Sequence, residues 1–226
     1  MNILLAALNL VGYREHQPKE PLQLPPIPAL DPFWTSPQPR ISFNEELHEY
    51  RAEDGTRLPS VTEILRRVQI IDTAGFSRAA ADFGKAVHEA TARIDRGEGS
   101  LEDYEADDPM MPYLEAWQIY KDCYVAEILQ IEQIVGSLEV GCAGTLDRLV
   151  LLKGVGYPVV IDLKTGKEKL WHRAQLGGYV VAAGKPYRRM AVYLREYGYA
   201  NAIEFKEEND IIAFRGALEW VKEGKA

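Results

Sequence analysis

Gly144-Thr145-Leu146-Asp147-Arg148-Leu149-Val150-Leu151-Leu152-Lys153-Gly154-Val155-Gly156-Tyr157-Pro158-Val159-Val160-Ile161-Asp162-Leu163-Lys164 is two runs rich in Val, Ile and Leu around a glycine-bearing turn. It predicts a hairpin, with strands over Cys142–Leu152 and Pro158–Lys164 joined by Lys153–Gly156. Alternation on the second strand turns Ile161 and Leu163 into a core and points Asp162 and Lys164 to the other face. An acid and an amine on a face of an apolar strand are costly unless solvated, paired or used. An isolated Asp-x-Lys also fits an ordinary ion pair at a strand end. The hairpin symmetry adds more. With its centre between Gly154 and Val155, Asp147 falls opposite Asp162, with Cβ atoms roughly 4.5–5.5 Å apart. Two like charges so placed are destabilising, and one is pushed towards protonation. A cation between them removes the conflict, and a hard divalent ion with oxygen ligands, Mg²⁺ or Mn²⁺, suits two carboxylates and water. Lys164 then stands beside the ion as a compact positive charge.

Working outward, Glu132 lies in the preceding strand, Ile128–Val135, in an alternating pattern that either supplies a third carboxylate or is a solvated face. Leu170 to Ala183 reads as a helix closed by Gly184, on which Gln175 and Tyr179 are four apart and share a face. Both carry polar tips able to hold a phosphate or support Lys164. Upstream, a helix over Thr73–Arg96 carries Gly84 and His88 one turn apart, the glycine permitting close approach of another backbone. Ser60 and Glu63 form a capping box opening a helix to about Gln69. Ile41–Phe43 and His48–Tyr50 read as short strands, with a turn at Asp54-Gly55. Gly97–Pro109 is an acidic loop. Tyr113, Leu114, Trp117, Tyr120 and Tyr124 mark a third helix. Arg189–Tyr197 and Asn201–Phe205 are further strands, and Glu207–Glu223 a final helix. The order helix, three strands, helix, strands, helix gives a mixed α/β sheet flanked by helices.

The chain has 226 residues and a net charge of −8, with 46% hydrophobic and 27% charged residues, ordinary for a globular protein. Its two cysteines exclude a disulfide framework, a four-cysteine zinc site and a four-cysteine iron–sulfur cluster. No apolar run is long enough for a membrane span. Met1–Gly12 is apolar but lacks a basic region and a cleavage site, so a cytoplasmic, reducing location is expected. The acidity argues against coating nucleic acid by bulk charge, though not against a local basic patch. Between Asp162 and Arg189 seven cations face two acids, whereas Asp95–Glu115 holds eight carboxylates and one arginine. Eight of the thirteen prolines fall in residues 14–40. Residues 1–40 therefore read as an extended arm or linker, and 41–226 as the folded domain.

Taken in order, Gly84-x-x-x-His88, Glu132, Gly144-Thr145-Leu146-Asp147, Ile161-Asp162-Leu163-Lys164-Thr165-Gly166 and Gln175-x-x-x-Tyr179 resemble the PD-(D/E)XK nuclease superfamily. Leu47-His48-Glu49-Tyr50 and Pro59–Leu65 look like the lead-in of its RecB-like, phage-type exonuclease branch. Thr-Leu-Asp stands where that branch usually has Pro-Asp. The resemblance implies a restriction-endonuclease-like core and a Mg²⁺- or Mn²⁺-dependent DNA exonuclease acting in DNA processing, recombination or repair. It implies that Asp147, Asp162, the Leu163 carbonyl and His88 bind the ion, and that Glu132 is a second-sphere or second-ion ligand. Lys164 would orient the attacking water and stabilise charge at phosphorus. Gln175 and Tyr179 would fix Lys164 or the scissile phosphate. Lys167, Lys169, Arg173, Arg188 and Arg189 would line the DNA path, with the acidic stretch 95–115 away from it. DNA is the implied partner, and a single-strand annealing or single-strand-binding protein is compatible with it. The alternatives are a catalytically inactive member of the fold serving as a nucleic-acid-binding or scaffolding module, and a small-molecule metallohydrolase on another α/β fold.

Overall fold

The central hairpin forms as its symmetry requires. In a computed structural model, which describes residues 40–71 and 77–225, strands β5 (Cys142–Leu152) and β6 (Pro158–Lys164) are antiparallel. Their register is Leu151↔Pro158, Val150↔Val159, Leu149↔Val160 and Arg148↔Ile161. Both strands are buried on both faces, as expected of strands sandwiched between helical layers. They lie inside a five-stranded sheet with β4 (Val125–Ser137) on one side and β7 (Arg188–Leu194) and β8 (Ala200–Phe205) on the other, in the order β4-β5-β6-β7-β8. The β6–β7 pair is parallel and the other pairs are antiparallel. A parallel neighbour demands a crossover, and helix α4 (Trp171–Ala183) supplies it.

Two apolar layers cover the sheet. On one face Val150, Val159, Ile161 and Leu163 pack with Val87 and Ala90 of α2 (Arg78–Asp95) and Leu114, Trp117 and Tyr120 of α3 (Met111–Tyr124). On the other, Leu146, Leu149 and Val160 meet Val61, Ile64 and Leu65 of α1 (Val61–Arg67), Leu176 and Tyr179 of α4, and Phe214 and Leu218 of α5 (Glu208–Lys222). Each fully buried Leu, Ile or Val contributes roughly 1.5–3 kcal/mol. A small sheet of β1 (Ile41–Asn44), β2 (Glu49–Ala52) and β3 (Arg57–Leu58) packs beside β4 through Ile41, Tyr50 and Leu58. This is a mixed α/β sheet flanked by helices, consistent with a restriction-endonuclease-like core. Among the described residues no helix is long and apolar enough to cross a membrane.

Local departures from the sequence reading have identifiable causes. Ser60 caps α1 by accepting the Glu63 N–H at 2.9 Å. The reciprocal half of the expected box is not made, because Arg57 and Arg67 take the Glu63 carboxylate at 2.9 and 2.8 Å. Helix α2 begins at Arg78, where Ser77 accepts the Ala80 N–H; residues 73–76 of the predicted helix lie outside the described residues. Strand β4 leaves α3 directly at Val125, three residues before the predicted start. The acidic loop holds a 3₁₀ turn over Leu101–Asp103. The proline-rich stretch 1–39 lies outside the described residues.

Candidate active site

The β5–β6 ladder ends at Arg148↔Ile161, one rung before the two acids. There the Asp147 carboxylate itself accepts the Leu163 N–H, at 2.7 Å to Oδ2. Asp147 and Asp162 are both buried, at 7% and 2% exposure. Glu132 lies on the same row. The pairs Ile131↔Arg148 and Gln133↔Leu146 flank it, so it faces Asp147 across β4–β5. Its φ is +49°, a left-handed conformation in mid-strand. For a residue with a side chain this costs on the order of 1–3 kcal/mol and persists only where the surroundings impose it. Three adjacent strands thus present three carboxylates in one row.

Helix α2 adds an imidazole. His88 Nδ1 is 3.4 Å from Asp147 Oδ2, and one ligand atom from each of His88, Glu132 and Asp147 lies within 4.8 Å of the others. Gly84, one turn earlier, permits this approach: a Cβ there would meet Thr165 Oγ1 at 3.3 Å. Asp162 is not part of that trio. Its Oδ2 sits 2.5 Å from Lys164 Nζ in an ion pair. Lys164 is the partner of this buried oxygen. Lys164 donates to Gln175 Oε1 at 3.0 Å, and Gln175 Nε2 reaches Thr62 Oγ1 at 3.3 Å. Trp171 lies under the ammonium, 5.7 Å from ring centre to Nζ.

The electrostatics describe a site short of positive charge. Burial, aided by the Asp147 charge, lifts Glu132 to about 7. Burial lifts Asp162 to about 6 against the pull of Lys164, with Asp147 adding to the rise. Burial would lift Asp147 too, but His88, Lys164 and the Leu163 N–H outweigh it and hold the carboxyl at about 2. Burial opposes the charged form of His88, yet Asp147 raises its pKa above the ordinary value. An imidazole, two carboxylates and the neighbouring buried Asp162 carboxyl fit a divalent cation.

Other expected residues are distributed unevenly. Tyr179 is buried against Gly144, where a Cβ would come within 2.9 Å of the ring. Lys167 and Lys169 are exposed in the loop 165–170 that follows Lys164. Arg195 braces that loop by donating to the Gly166 carbonyl at 3.0 Å. Arg173 does not stand free beside them: it pairs with Asp210 at 3.0 Å. Arg189 is buried on Asp210 and the Glu207 carbonyl, and Arg188 pairs with Glu204 and Tyr157. The basic stretch therefore narrows from a continuous track to Lys167 and Lys169, because α5 and β8 neutralise the arginines.

Three residues escaped the sequence reading as site residues. Arg148, next to Asp147, is fully buried, and Asp95 Oδ2 accepts from its Nε at 2.7 Å. Asp95 opens the acidic stretch 95–115, which was expected to lie away from the DNA path. Its side chain is fully buried behind the site, also bonded by Trp117 and Lys121. A cation inside a strand apolar on both faces was the available signal for Arg148. Tyr50 likewise reaches in from β2, with its hydroxyl 2.8 Å from Thr145 Oγ1.

A family model described as the PD-(D/E)XK nuclease superfamily matches residues 50–209. No curated protein matches the chain significantly. Sixteen chains of solved structures do. One, described as "Crystal structure of SSO0001", is 12% identical with a TM-score of 0.31, over 74% of this chain and 85% of that one.

Proposed function

Since the chain belongs to the PD-(D/E)XK nuclease superfamily, we propose that it is a metal-dependent deoxyribonuclease, an exonuclease of DNA processing, recombination or repair. The observation that carries this is the meeting of His88, Glu132 and Asp147 within 4.8 Å, beside an Asp162–Lys164 pair at 2.5 Å. His88, Glu132 and Asp147 would hold Mg²⁺ or Mn²⁺, with the Asp162 carboxylate beside them completing the shell. Bound there, the ion would supply an acidified water and charge neutralisation on the phosphate. Lys164 places a compact cation where negative charge develops at phosphorus, an electrostatic role of the kind worth about 10²–10³ in rate. Gln175 fixes the direction of Lys164, because its other end is tied to Thr62. Lys167 and Lys169 draw the flanking phosphates to the mouth of the site. The exonuclease assignment rests on the likeness of the lead-in Leu47–Tyr50 and Pro59–Leu65 to phage-type members.

End-labelled linear DNA and closed circular DNA, incubated with Mg²⁺, Mn²⁺ or chelator, test the reading. The expected result is metal-dependent loss of linear DNA only, abolished by Asp162→Ala. Cleavage that survives chelator overturns the metal-dependent mechanism, and cutting of the circle overturns the exonuclease assignment. DNA binding without cleavage under any metal would mark an inactive module of the same fold.

A further inference from the structure

Arg148 is bonded to Glu132 and to the Asp147 backbone, and reaches His88 through Thr91. Its Nη1 donates to Glu132 Oε1 at 3.3 Å and to the Asp147 carbonyl at 2.6 Å. Its Nη2 donates to Thr91 Oγ1 at 3.2 Å, and that hydroxyl donates to the His88 carbonyl at 2.9 Å. The remaining nitrogen, Nε, is anchored on Asp95 at 2.7 Å. Asp95 is itself pinned by Trp117 Nε1 and Lys121 Nζ, both at 2.8 Å. The guanidinium lies 5.8 Å from the Trp117 ring centre and has no exposed surface. A planar fork with five donors in fixed directions can hold these four acceptors at set angles, which an ammonium cannot. Glu132, which takes a left-handed φ in mid-strand, is the carboxylate this guanidinium pairs with.

We infer that Arg148, anchored by Asp95, is the positioning residue of the candidate metal centre: it sets the carboxylate of Glu132 beside Asp147 and His88 without itself touching the ion. The inference rests on the metal-site reading above. Residues that orient ligands from behind typically change metal affinity by roughly 10–100-fold when altered. Arg148→Lys keeps the buried charge against Asp95 but loses the fork.

The test is calorimetric titration of the full chain with Mn²⁺, for wild type, Arg148→Lys, Glu132→Ala and the double variant. Arg148→Lys should weaken Mn²⁺ binding by roughly 10–100-fold in the wild-type background and by much less once Glu132 is gone. An equal loss in both backgrounds shows a general structural role and overturns the inference, as does wild-type affinity in Arg148→Lys. If Arg148→Lys does not fold, the isosteric Asp95→Asn takes its place in the same cycle, with the same two overturning results. No Mn²⁺ binding by wild type overturns the metal-site reading and the inference together, whereas wild-type binding with an unaltered variant overturns the inference alone.

Discussion

In chelator Glu132 should cost the protein a measurable share of its stability as pH rises from 5 to 8. Burial lifts this carboxyl to about 7 from an ordinary 4.5. An acid whose folded value exceeds its unfolded one keeps its proton longer in the folded state. The folded state then binds more protons than the unfolded one, so stability falls with rising pH. The contribution is complete below about pH 4 and lost as pH passes through about 7. Asp162, lifted to about 6, and His88, also raised, act with the same sign. Asp147, held at about 2, has the opposite sign but acts only below pH 4. At about 1.4 kcal/mol per unit the Glu132 displacement is on the order of 3 kcal/mol. The side chain is 32% exposed, so solvent screening reduces this to about 2 kcal/mol. For a chain of this size that is roughly 4–8 °C in Tm.

Glu132→Gln isolates the effect, because glutamine is neutral at every pH. Its Tm minus that of wild type, measured by differential scanning fluorimetry in EDTA, should grow by roughly 4–8 °C between pH 5 and 8. The subtraction cancels every other group that titrates alike in both proteins. A difference that stays constant across this range would refute the reasoning, since Glu132 would then be ionised throughout. Mn²⁺ should act in the opposite sense. It requires the ionised carboxylate, so it should raise the wild-type Tm more at pH 8 than at pH 5.

Asp162→Ala and Lys164→Ala should each lower cleavage by at least about 10²-fold, but only the first should weaken Mn²⁺ binding, which titration of both variants checks. Reversing Lys167 and Lys169 to Glu should weaken DNA binding and reduce its log–log salt slope by up to about two, measured by fluorescence anisotropy on a catalytically silent background. Arg173→Glu should instead lower Tm, because Arg173 faces Asp210 at 3.0 Å. Gly144→Leu should cost about 1–3 kcal/mol by overpacking against Tyr179, read as a lowered urea midpoint.

The parts of the site legible in the sequence are those carried by short-range geometry. A hairpin has one centre, so the turn at Gly154-Val155 fixes which residues of β5 and β6 are paired, and the observed register follows it. Strand alternation likewise separates Ile161 and Leu163, which enter a core, from Asp162 and Lys164. Helical spacing puts Gln175 and Tyr179 on one face, and Gln175 does reach Lys164. In each case the sequence separation is small and the backbone period leaves no choice of face.

Partners across long separations were decided only by the tertiary structure. Arg148 finds Asp95 at 53 positions' distance and Thr91 at 57, and no periodicity links them. A carboxylate in an acidic run reads as solvated until packing buries it under a cation, as happens to Asp95. The same holds in reverse for Arg173, Arg188 and Arg189, which look like a basic track until α5 and β8 bring Asp210 and Glu204 to them. Sequence alone determined the central hairpin, its register and the face that bears Asp162 and Lys164. Tertiary packing decided which charges are buried together, because a charge's energy depends on its solvent and its neighbours, and both are set by elements distant in the chain.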